Sequence, residues 1–174
     1  MKALLSIALL ATTIFGSVAP ALATQPVSDQ EAALANQLIS ELKNRGITTY
    51  LDAEMCQTRN VDGFYSGRNR ALVLCNDQKR TMDAELLDTL RHETVHFIQD
   101  CANGSIDGNL DLIMKPGAAQ RILREHGISP ERINYVYTQN GAADHVPQEY
   151  EAFAGGLMPT EVIIEVLTAV CPLP

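Results

Sequence analysis

The pentapeptide His92-Glu93-Thr94-Val95-His96 constrains this chain more than any other stretch. Around it, Leu86, Leu87, Leu90, Phe97 and Ile98 recur at helical spacing, which predicts a helix over residues 83–102 stopped at Asn103-Gly104. Residues four apart on a helix share a face, so this helix presents two imidazoles to one metal ion with the Glu93 carboxylate beside them. The chain has only four histidines. Whatever the rest of it folds into has to complete, or leave unused, the site that this pair begins.

Two histidines are not enough for a catalytic ion, which takes three protein ligands and keeps a fourth position for water. The continuation H-E-x-x-H-x-x-G-x-x-H would supply a third histidine one turn on, but Gln99 and Ala102 stand at its last two fixed positions. The third ligand must therefore come from downstream, where Glu125, His126, Glu131, Asp144, His145, Glu149 and Glu151 are candidates. Glu149 falls in the first turn of a helix that Pro147 should open, a favoured place for an acid. Glu151 is its rival and would face a different side of that helix.

Two nitrogens and a carboxylate suit zinc, which makes a bound water acidic. Glu93 is then the expected general base, taking the proton from that water as it attacks a carbonyl. A second donor for the developing oxyanion usually comes from outside the motif helix. Tyr135, Tyr137 and His145 are available, and His145, one turn before Glu149, is favoured. Asp100, four residues after His96, would either orient an imidazole or be a plain surface carboxylate.

The N-terminus bears on where such chemistry takes place. Met1-Lys2, an apolar run from Ala3 to Val18 and Ala21-Leu22-Ala23 have the three parts of a secretory signal, with cleavage expected after Ala23. The apolar run is shorter than the roughly 20 residues that span a bilayer, so no membrane association is expected once it is removed. Losing Lys2 leaves 12 basic against 21 acidic residues, a net charge of −9, which argues against nucleic acid as a partner. The four cysteines, Cys56, Cys75, Cys101 and Cys171, all follow the signal. An even number in an exported chain suggests two disulfides, and of three possible pairings Cys56–Cys75 with Cys101–Cys171 is preferred. A secreted or periplasmic protein is expected.

Residues 24–174 suit one domain. Ser28-Asp29-Gln30-Glu31 is a capping box ahead of Leu34, Leu38, Ile39 and Leu42, predicting a helix over 29–44. Residues 47–51 and 70–75 read as strands of a small antiparallel sheet, with the stretch around Asp62-Gly63 read as polar connection. After the motif helix, helices are expected over 118–126, from Pro130 with Ser129 as cap, from Pro147, and over 160–170 beyond Pro159. The fold class is α+β: mostly helical, with a short antiparallel sheet beside the motif helix.

With these residues in view, the motif helix resembles that of zincin metallopeptidases. Glu149-Tyr150-Glu151-Ala152 is similar to the E-x-x-A element of gluzincin-type enzymes, and the run from Glu149 to Pro159 is similar to the C-terminal motif of ImmA/IrrE-like metallopeptidases. The resemblance implies Glu149 as the third zinc ligand and Ala152 as the small residue that packs on the motif helix. It also implies hydrolysis of a peptide or protein substrate, with the strand at Arg70 to Leu74 as an edge that aligns it. The alternative is an inert domain of the same fold acting as a binding or inhibitory module.

Overall fold

Three of the helices start at side-chain caps. In the computed structural model, which describes residues 26–51, 56, 61–75 and 82–173, helix α1 spans Asp29–Asn44 and the Ser28–Glu31 capping box is formed. The expected signal segment, residues 1–23, lies outside the described residues. Strands β1 (Thr48–Leu51), β2 (Gly63–Ser66) and β3 (Ala71–Leu74) come next. The motif helix α2 covers Ala84–Cys101, where Asp83 Oδ1 accepts from the Leu86 amide at 2.9 Å. Helix α3 (Ala118–Glu125) leads to α4 (Pro130–Gln139), with Ser129 as cap and Pro130 in the first turn. A 3₁₀ turn at Ala143–His145 runs into α5 (Val146–Gly156), and Pro159 separates α5 from α6 (Thr160–Val170).

The protein is α+β and mostly helical, but its sheet is mixed. The strand order is β1-β3-β2, with β1 parallel and β2 antiparallel to β3. The purely antiparallel expectation fails because residues 63–66 form a strand of their own. They make a hairpin with β3 through the turn at Gly67 to Arg70, and β1 is left to pair with the far side of β3 in the same direction. All four residues of Ala71-Leu72-Val73-Leu74 are buried, as expected for the central strand, flanked on both edges and covered by helices.

Helix α2 is the axis of the molecule. From Glu93 to Cys101 every residue is buried, because α5, α6 and the sheet surround that half of the helix. Phe97, Ile98 and Leu90 join Leu38, Leu42, Leu72, Leu74 and Leu167 in the main core. Each such side chain contributes roughly 1.5–3 kcal/mol when fully buried. A smaller cluster, Ala119, Leu123, Ile133 and Ala154, ties α3 and α4 to the outer face of α5.

Both expected cysteine pairs lie at disulfide distance, with Cα atoms 5.4 Å apart for Cys56–Cys75 and 5.8 Å apart for Cys101–Cys171. The second pair fastens the end of α2 to the residue just after α6. Buried Arg45 adds to that junction, its Nε donating to the Cys171 carbonyl at 2.6 Å. Among the described residues no helix is long and apolar enough to cross a membrane.

Candidate metal centre

Helix α5 crosses α2 at close range because its inner face is made of small residues. Ala152 is fully buried, and a Cβ added at Gly155 would collide with Val95 Cγ2. This approach carries Glu149 to the histidines. Its Oε2 lies 3.4 Å from His92 Nε2 and its Oε1 3.5 Å from His96 Nε2. The ligand atoms of all three residues lie within 4.8 Å of one another.

The chemistry and spacing of this group fit a divalent ion. Two ligands each 2.0–2.1 Å from a tetrahedral ion stand about 3.3 Å apart, close to both histidine-to-carboxylate spacings. Glu149 Oε2 is buried and makes no hydrogen bond, a deficit that a cation would meet. Burial alone would raise the Glu149 pKa, but the two imidazoles override it and hold the carboxyl below the usual range, so it is charged. Phe153, one turn after Glu149, packs edge-on against the His92 ring with centroids 4.6 Å apart and limits its rotation.

Glu93 stands beside this group on the wall of a cleft of about 300 Å³ that also exposes His92, His96 and Glu149. Burial raises its pKa, opposed by His92, His96 and the Tyr65 amide. Tyr137 and His145 line the same cleft from α4 and the 3₁₀ turn. Tyr137 is half-buried, and burial together with the Glu149 and Glu93 carboxylates pushes its phenol far up, so it keeps its proton. Tyr135, 65 % exposed, lies outside the cleft.

Three expectations change. Glu151 does not compete for the ion: Oε2 accepts from the Ile113 amide at 2.9 Å and from Gln99 Nε2 at 3.0 Å, and Oε1 accepts from the Met114 amide at 2.8 Å. Asp100 neither orients an imidazole nor sits on the surface. Fully buried, it accepts from the Tyr65 hydroxyl at 2.7 Å and from the Asp107 and Gly108 amides at 3.0 and 2.7 Å. The strand beside the site is β2 and not the Arg70 to Leu74 strand, which is central. Since Asp62 O accepts from Cys75 N, the ladder bonds of β2 fall on Phe64 and Ser66, and the backbone groups of Gly63 and Tyr65 turn to its other edge.

The remaining downstream candidates lie apart from the group. Glu125, His126 and Asp144 are exposed, and Glu131 pairs with Arg124 at 2.9 Å. Two features of the site escaped sequence reading, the β2 edge that lines the cleft and the buried Gln99 behind His96. The aromatic pair Phe64-Tyr65 between Gly63 and Gly67 was the available signal for the first. Gln99, whose Oε1 lies 2.9 Å from His96 Nδ1, gave none. Compared with protein families, curated proteins and solved structures, the chain matches none.

Proposed function

We propose that the protein is an exported zinc-dependent metallopeptidase, with His92, His96 and Glu149 as ligands and Glu93 as general base. One observation carries the reading: a carboxylate from α5 closes on both imidazoles of the motif helix while Glu93 faces the same cleft. Zinc, when bound there, supplies an acidified water and positive charge for a developing oxyanion. Glu93 takes the proton from the attacking water and returns it to the leaving amine, a task suited to a carboxyl whose pKa burial raises. Tyr137, held protonated, and His145, which line the same cleft, are the available donors to the oxyanion.

The Gly63 backbone and the Tyr65 carbonyl, turned to the outer edge of β2, suit an extended peptide lying along it by strand addition. Paired cysteines and a leader of secretory type support a compartment outside the cytoplasm.

The test is Glu93→Gln. The variant should bind zinc as the wild type does and lose cleavage of a peptide library by about a hundredfold or more. A variant as active as the wild type excludes Glu93 as base, and a wild type that binds zinc and cleaves no peptide points to the inert binding module.

A further inference from the structure

We propose that Gln99 and Glu151 are positioning residues of the metal centre, fixing which nitrogen of His96 is offered to the ion. This rests on the metal-site reading above. The Gln99 side chain is fully buried. Its Nε2 lies 3.1 Å from the Gln148 carbonyl and 3.0 Å from Glu151 Oε2. A carbonyl and a carboxylate can only accept, so the amide has one orientation, with its nitrogen toward α5. Its oxygen is left facing His96 Nδ1 at 2.9 Å. An amide oxygen can only accept, so Nδ1 carries the hydrogen and donates it. The lone pair that an ion can take is then on Nε2, the nitrogen facing Glu149.

Glu151 keeps this arrangement in place. Its carboxylate is buried and held by the Ile113 and Met114 amides as well as by Gln99. Without it the Gln99 amide loses one of the two acceptors that prevent a flip. A flipped amide would point its NH₂ at Nδ1 and favour the opposite tautomer, with hydrogen on the ligating nitrogen. Helix α5 thus makes two contributions to the centre. Glu149 is the third ligand, and the Gln148 carbonyl with Glu151 sets the second ligand's tautomer. The loop carrying Ile113 and Met114 is tied into the same relay.

The experiment titrates the purified protein with zinc against a chromophoric chelator, alongside side-chain ¹H–¹⁵N spectra of the metal-free form. Gln99→Met keeps bulk and removes the acceptor. It should weaken zinc binding about 10- to 100-fold and abolish a protected His96 Nδ1–H signal present in the wild type. Glu151→Leu removes one of the acceptors that hold the Gln99 amide and should also weaken binding. Glu151→Gln can keep its oxygen toward Gln99 and Ile113, giving up only the Met114 bond, and should stay close to wild-type affinity.

A wild type that binds no zinc overturns the metal-site reading and this inference with it. Zinc-binding wild type with Gln99→Met within twofold of it, or without a protected Nδ1–H, overturns this inference alone. If Gln99→Met does not fold, the pair of variants at position 151 decides, and Glu151→Leu binding zinc as tightly as Glu151→Gln overturns the relay.

Discussion

Gly155 lies so close over Val95 that the glycine has no room for a side chain. The contact sets how near α5 comes to α2, and Glu149 is less than two turns away on the same helix. Gly155→Val should therefore act on fold and site together. Overpacking of this kind costs about 1–3 kcal/mol, so the melting temperature of the metal-free protein should fall. Zinc affinity should drop as well, because Glu149 moves away from the imidazoles. Thermal unfolding and zinc titration of the same variant check both, and an unchanged affinity would mean that the ligand's position does not depend on this contact.

Asp100 supports the cleft from beneath. Its carboxylate satisfies the Tyr65 hydroxyl and two loop amides, so Asp100→Ala leaves three donors without their acceptor. The cost should be at least about 2 kcal/mol in urea unfolding. Asp100→Asn keeps an acceptor and should lose less. Because Tyr65 and Gly108 line the cleft, both variants should raise KM more than they lower kcat.

Proton competition should govern metal binding. Burial alone would lower the His96 pKa, but Glu149 and Glu93 beside it reverse the effect, so that it rises from 6.5 to about 9 in the metal-free protein. A raised folded pKa means that the charged imidazole is favoured at neutral pH, and its contribution to metal-free stability, full below 6.5, is lost as pH climbs through about 9. An ion must displace the Nε2 proton. Between pH 6.5 and about 9, zinc binding should release about one proton and apparent affinity should rise about tenfold per pH unit, levelling off above that window. Calorimetry in two buffers of different protonation enthalpy measures the proton directly, and an affinity flat across the window would contradict the sign.

The cysteine pairs should differ in worth. Cys101–Cys171 closes 70 residues of chain against 19 for Cys56–Cys75. On chain-entropy grounds the first contributes about 4 kcal/mol and the second about 3. Cys101→Ser with Cys171→Ser should therefore lower stability more than Cys56→Ser with Cys75→Ser. Denaturant midpoints of the two double variants give the order.

Much of this was legible in the sequence because it rests on local rules. The capping box at Ser28, the Ser129-Pro130 helix start and the histidine pair on α2 each express a relation between residues three or four apart. The histidines' need for a third ligand and the helix that Pro147 opens made Glu149 a candidate beside Glu151, and the resemblance to the E-x-x-A element singled it out. What local rules did not give was partner choice over distance. Strand β2 has four residues, too few for an alternating pattern to stand out, and once it was missed β3 looked like an edge. Asp100 and Glu151 are ordinary carboxylates in sequence; only the fold directs one to the Asp107-Gly108 amides and the other to Gln99.

The distance along the chain between His92 and Glu149 has a consequence for biogenesis. During synthesis the histidine pair emerges 57 residues ahead of the carboxylate, and the Cys171 that fastens α2 emerges later still. Two imidazoles on an isolated helix hold an ion only weakly, since the binding energy of such a site is realised as the chain folds. On the proposed metal-site reading, a nascent or truncated chain ending before α5 does not sequester metal, and loading waits until α5 has been made and folded onto α2.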